Sequence, residues 1–283
     1  MSTEILPAGQ PVEPTEPVPA EAAAPPKKKR RGWIIALIVI GVFVVLAIVG
    51  FIIADAVAKD YARDYVRSRI VEVLRLPADA QVDVDLGGGS IILQALAGRI
   101  QNVDVDVPEL AFGDLVGAAE LHAEGVPLDQ DAPVDALRVV FSVDEADVEA
   151  LAGNLSGLEL SSVELVEPEI VVASAFSLFG IEIPVGMSIL PSAAEGELVF
   201  TPTGISLGDD LYTAEEVAAN PLFAALAGPL LQQQSVCIAD QLPRALVLSA
   251  AEVAGERLRL TIDGDGATLG GPGLSTPGTC PAP

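Results

Sequence analysis

The chain has 283 residues but only one histidine, His122, and two cysteines, Cys237 and Cys280. Zinc, haem and iron–sulfur sites draw on more soft ligands than that, so no metal and no cofactor is expected. Aromatic residues make up 4%, and 15 Lys and Arg stand against 40 Asp and Glu. A body that acidic cannot bind nucleic acid by neutralising phosphates, nor adsorb to an anionic membrane by charge alone. No serine sits in a Gly-x-Ser-x-Gly elbow, and Gly87-Gly88-Gly89 lacks the Lys-Ser/Thr of a phosphate loop. His122 lies in Glu120-Leu121-His122-Ala123-Glu124, where a strand would place it beside both glutamates; an exposed strand histidine is the plainer reading than a general base. These absences exclude most familiar catalytic constellations, and an enzyme is not expected.

What the sequence has is uneven. Residues 1 to 26 hold seven prolines among Glu, Ala and Thr and few large apolar side chains, too little to offset the entropy of ordering. Lys27, Lys28, Lys29, Arg30 and Arg31 follow, and then an uncharged run from Gly32 to Ala54. As a helix that run spans about 34 Å, enough for one bilayer crossing. The five cations form a positive-inside flank, with Trp33 at the cytoplasmic interface. Ala54-Asp55-Ala56 and Ala56-Val57-Ala58 resemble signal-peptidase sites, but the apolar run is longer than a signal core, which favours an uncleaved anchor. The other ten cations and 36 acids all lie beyond Ala54, a net −26 on the body outside the membrane. In an exported body the two cysteines are expected to pair, Cys237 with Cys280, and closing the loop between them is worth about 4 kcal/mol. The bridge would staple the Pro/Gly-rich terminus, Gly271 to Pro283, to a helical segment near Cys237.

Within the body, Asp55 to Leu76 keeps a helical rhythm, with Val57, Tyr61, Tyr65 or Val66, Ile70, Val73 and Leu74 on one side, and Pro77 ends it. Lys59, Arg63 and Arg67 form a basic stripe at i, i+4, i+8. It is either a face that pairs with Asp60 and Asp64 or a contact for lipid headgroups. The period then changes to two. Val82 to Leu86, Val103 to Val107, Leu158-Glu159-Leu160, Ile181-Glu182-Ile183 and Leu258 to Asp263 alternate apolar with polar, each burying one face. Alternation puts Asp83/Asp85 and Asp104/Asp106 on solvent faces, which accounts for them without calcium or acid–base chemistry. Ser90 to Leu96 reads as a short apolar helix. Ser142-Val143-Asp144-Glu145 reads as a capping box that opens a helix to about Ala152, and Glu215 to Ala239 as a helical stretch broken near Pro221 and Pro229. Asp263-Gly264-Asp265-Gly266 is a turn, too short for a calcium loop.

The stretch Gln94-Ala95-Leu96-Ala97-Gly98-Arg99-Ile100-Gln101-Asn102-Val103-Asp104-Val105 resembles the LmeA-type phospholipid-binding family of actinobacterial cell envelopes. Three further segments match in order: Leu121 to Val126; Phe141 to Val148; and Leu242 to Leu246 with Arg257 to Ile262 as a closing pair of strands. The likeness runs from about Tyr61 to Gly264. Where that family has an aromatic Gly-Phe-Pro-Phe-like entry to its first short helix, this chain has Gly89-Ser90-Ile91-Ile92. The resemblance implies phospholipid or glycolipid binding, a fold related to tubular lipid-binding domains, and no catalytic residues.

The expected fold is α+β, a curved antiparallel β-sheet wrapped around helices and preceded by one transmembrane helix. The expected organisation is a tail over 1–31, a transmembrane helix over 32–54, an extracytoplasmic domain over 55–270 and a terminal tail over 271–283. Acyl chains are expected against Ile91, Ile92, Leu93 and Leu96, with Lys59, Arg63 and Arg67 near headgroups. The competing reading is a tethered adaptor or receptor ectodomain that binds a protein partner through its acidic surface.

Overall fold

The computed structural model describes residues 30–74, 76–77, 79–112, 115–156, 160–178, 181–194, 196–208 and 210–280. The Pro-rich tail, Lys27 to Lys29, Leu158-Glu159 and residues 281–283 lie outside them. Two compact units divide the chain, Met1–Phe51 and Ile52–Pro283. In the first, the described chain is helix α1, Arg30–Leu74, which continues into the second unit. Among the described residues it is the one helix long and apolar enough to cross a membrane.

The second unit is α+β, built on two antiparallel sheets. The first has the order β1-β2-β3-β4-β12-β11, from strands Asp83–Gly87, Arg99–Phe112, Leu115–Pro127, Ala136–Asp144, Arg257–Asp263 and Val247–Ala254. Alternation, interrupted at the buried Ser142 and at register shifts in β2 and β11, makes it largely two-faced. Registered rows such as Leu86–Val103–Ala123–Leu137 and Val143–Leu258–Val253 carry only apolar side chains into the core. Leu86 is fully buried, which by area is worth about 2 kcal/mol or somewhat more. The opposite face is charged: the row Asp85–Asp104–His122–Arg138–Asp263 crosses five strands.

The second sheet has the order β10-β8-β7-β6-β5, with β9 pairing β8. Its strands are Gln234–Cys237, Glu197–Leu207, Ile181–Ala194, Glu169–Leu178, Leu160–Val166 and Asp210–Thr213. Strand β7 lies against β11 of the first sheet. Val163, Leu165 and Ile170 join the same core as the first sheet's apolar face. Helix α3, Glu145–Ser156, covers β5.

Several local expectations are corrected. On α1 it is Ala58, Ala62, Val66 and Ile70 that pack on the core, while Val57, Tyr61 and Tyr65 are exposed. The small alanines allow close approach of the helix, and the larger tyrosines take the other face. Ser142 is a buried residue inside β4, and the Glu145 carboxylate accepts from the Leu165 backbone N–H at 2.9 Å, so no capping box forms there. The helical stretch after Thr213 is shorter than expected. It comprises α4, Ala214–Ala219, α5, Pro221–Ala227, and a 3-10 turn, Gly228–Leu231; Gln234–Cys237 is strand β10 instead. Leu242 to Leu246 is a turn, and the strand that pairs with β12 begins at Val247. Cys237 and Cys280 are joined, so the bridge ties the C-terminal segment to a strand rather than to a helix. That segment includes a short helix α6, Pro272–Ser275, and bonds to the body through Arg244 N–H to Thr276 O and Gly278 N–H to Leu242 O.

Candidate functional site

Helix α2, Ile91–Leu96, is held from three sides. Gly88 and Gly89, with φ of 86° and 99°, make the turn out of β1, a conformation that side chains rarely adopt. Ser90 caps the helix and donates to Asp55 of α1 at 2.6 Å, and the Ile92 backbone N–H donates to the same carboxylate at 3.0 Å. Gln94 is buried and bonds to strands on both sides, donating to Gly87 O at 3.1 Å and accepting from Gln101 N–H at 2.7 Å. With Ile91 and Gln94 inward, Leu93 and Leu96 point away from the core, 57% and 80% exposed. The four apolar side chains expected to act together are thus divided. Ile91 is buried, Ile92 is half-buried against the core, and Leu93 and Leu96 face out.

The basic stripe is largely engaged. Arg63 pairs with Asp85 at 2.7 Å and Asp60 at 3.7 Å, and Arg67 donates to Ala80 O at 3.1 Å. Both guanidinium groups fasten α1 to the first sheet's edge and the chain that leads into it. Lys59 is half-buried on the same helix.

The second sheet differs in chemistry. From Arg138 to Arg244 the intervening chain has no lysine, arginine or histidine. Strand registers place Val172 and Met187, Ile170 and Ile189, and Met187 and Ile205 on one face, the face that joins the core through Ile170. Val172, Val185, Met187, Ile189 and Phe200 are all half-buried. Such a surface suits hydrocarbon, which needs no directional partner. The stretch itself supplies no cation for a phosphate.

A separate cleft of about 540 Å³ lies between the end of α1 and the β2–β3 hairpin, lined by Leu74, Leu76, Pro108, Ala111 and Val116 with Asp79 and Glu109. The two acids disfavour an anionic headgroup there.

His122 is held between carboxylates, with Nδ1 2.5 Å from Asp104 and Nε2 3.3 Å from Glu124. The Asp104 hydrogen bond, helped by the one to Glu124, raises its pKa above the ordinary value, which favours the charged form in the sheet's outer row. Beside it, the Arg138 guanidinium holds the Asp263 carboxyl below its usual range. Asp104 with His122, and Arg138 with Asp263, are cross-strand pairs on an exposed face, not a cleft. Among the described residues no cluster of His, Cys, Asp and Glu could hold a metal ion.

Sequence reasoning missed the face on β6 to β8. Its signal was available as the long stretch without cations, in which hydroxyl and small residues are frequent between the apolar ones. The Thr213–Glu216 capping box of α4, a Thr-x-x-Glu pattern, was equally open to reading.

The chain belongs to the LmeA-like phospholipid-binding family, whose model matches residues 53–263. No curated protein and no solved structure matches it.

Proposed function

We propose that this member of a phospholipid-binding family takes acyl chains onto the inner face of its second sheet and holds or transfers that lipid beside the membrane, without chemistry. The observation that carries the reading is the half-buried aliphatic face of Val172, Val185, Met187 and Ile189 in a stretch with no cation. Hydrocarbon contact there leaves the headgroup unspecified, so phospholipid and glycolipid are both admissible cargo. In this reading α1 is a single-pass anchor. Its flank, Lys27 to Arg31, stays cytoplasmic by the positive-inside rule, and the body with its Cys237–Cys280 bridge lies on the oxidising side, in the cell envelope. Of the residues first expected to touch lipid, Ile91 and Ile92 border the core, and Leu93 and Leu96 meet lipid only from outside it. Lys59 remains the stripe's candidate for a headgroup.

The adaptor reading draws on one observation, the row Asp83–Asp106–Glu120 across three strands, which no ion pair neutralises among the described residues. Native mass spectrometry of the full chain purified from its own membranes, followed by lipid extraction, separates the two. Co-purified phospholipid that is lost in Met187→Asp, with the thermal transition retained, is the expected result. A lipid-free mass together with no uptake from phospholipid vesicles would reject lipid holding and leave the adaptor.

A further inference from the structure

Leu93 and Leu96 on α2 and Leu128 in the turn after β3 are exposed large apolar side chains. The Leu128 N–H donates to Gly98 O just beyond α2, which brings the turn to the helix. In a body of net −26, the segment from Leu86 to Val103 contains no acid and one cation, Arg99, which pairs with Asp135. The next acids in sequence after Leu128 are Asp129 and Asp131. Asp55 is the first charged residue after the apolar run of α1, so it marks the level at which that helix leaves hydrocarbon. Its carboxylate is the group that caps α2 through Ser90 and Ile92. A six-residue helix is about 9 Å long, so all of α2 lies within the reach of an interfacial layer from Asp55.

We propose that α2 and the Leu128 turn form a second membrane contact, in which Leu93, Leu96 and Leu128 enter the interfacial layer of the leaflet from which α1 emerges. The occupant is the bilayer and not a cargo lipid, because α2 is pinned by Asp55, Ser90 and Gln94 with its leucines turned away from the core. Rigid docking suits this role: a wedge that does not yield transmits the membrane's position to β1 and β2. The acid-free segment from Leu86 to Val103 lessens the repulsion that the rest of the surface would meet, and Asp129 and Asp131 beside Leu128 are the acids that remain near the contact. The inference rests on the reading of α1 as a membrane span.

The test uses the full chain in nanodiscs of phosphatidylcholine and phosphatidylglycerol. An environment-sensitive fluorophore is placed on Leu96→Cys or, for comparison, on Leu211→Cys, another exposed leucine, on β9. The bridge occupies the native thiols, so only the new one is labelled. Quenching by spin-labelled phospholipid is expected to remove most emission at position 96 and none at 211. Equal, water-like emission at both positions would overturn the proposal. In a second arm, phospholipid co-purifying with Leu93→Asp/Leu96→Asp is compared with that of the native chain. Where the native chain carries lipid, an unchanged amount supports the wedge. Loss of lipid confined to the double variant would assign these leucines to cargo and overturn it. Failure of the lipid-holding reading shows instead as a lipid-free native chain, whatever the quenching result.

Discussion

The two sheets share a core but divide their chemistry. The first pairs an apolar face with an outer face of acids, arginines and one histidine, so its strands have a wet side and a dry side except where Ser142 is buried in β4. The second has no cation in its strands, and on its core-side face Val172, Val185, Met187 and Ile189 are only half-buried, beside the buried Ile170 and Ile205. A sheet that must merely fold gains from unambiguous faces, because a one-residue slip would bury charge. On the function proposed, a sheet that accepts hydrocarbon keeps apolar surface uncovered, and the difference separates a scaffold from a receptive surface.

The same division explains what was legible. Val82 to Leu86, Val103 to Val107 and Leu258 to Asp263 alternate so strongly that periodicity alone located β1, β2 and β12. Between β6 and β8, small and hydroxyl residues such as Ser174, Gly186 and Ser188 blur the period, and the sequence offered only Ile181-Glu182-Ile183. Short elements were misread where tertiary contacts decided them. Gln234–Cys237 follows a helical run yet pairs with β8, and Ser142 carries a cap-like pattern inside a central strand. The pattern placed α2 correctly but not its facing. That depends on Gln94, a polar residue buried because its amide bonds both β1 and β2.

The contrast can be broken most severely at the bridge. Cys237→Ser with Cys280→Ser should cost about 4 kcal/mol in denaturant unfolding and should raise hydrogen exchange in β10 before it does so in β2 or β3. Uniform loosening of both sheets would contradict the division. Matched truncations sharpen it next. Leu86→Ala, in the closed core, should destabilise by about 2–5 kcal/mol and leave bound phospholipid per folded molecule unchanged. Met187→Ala should cost about 1 kcal/mol, since the side chain is half-buried, yet lower phospholipid content. Reversal of that pattern, with lipid lost in the first and kept in the second, would place the receptive surface in the wrong sheet.

The smallest effect is electrostatic. The His122 pKa is raised in the folded protein, so its contribution is fully present below the unfolded value of about 6.5 and is lost as pH rises through the higher folded value. Exposure keeps it weak. As the chain's one histidine, His122 gives a single imidazole resonance, whose midpoint should lie above 6.5 and fall in Asp104→Asn. A midpoint at or below that of a free histidine would remove the cation from the first sheet's outer row.

The central claim is that acyl chains lie on the second sheet's inner face. Its most direct test is crosslinking of the full chain in membranes with a phospholipid that carries a photoactivatable acyl chain, with the attachment sites mapped by peptide mass spectrometry. Adducts on β6, β7 and β8, centred on Val172, Met187 and Ile189, are predicted. Adducts confined to α1 and α2, with those three strands unmodified, would contradict it.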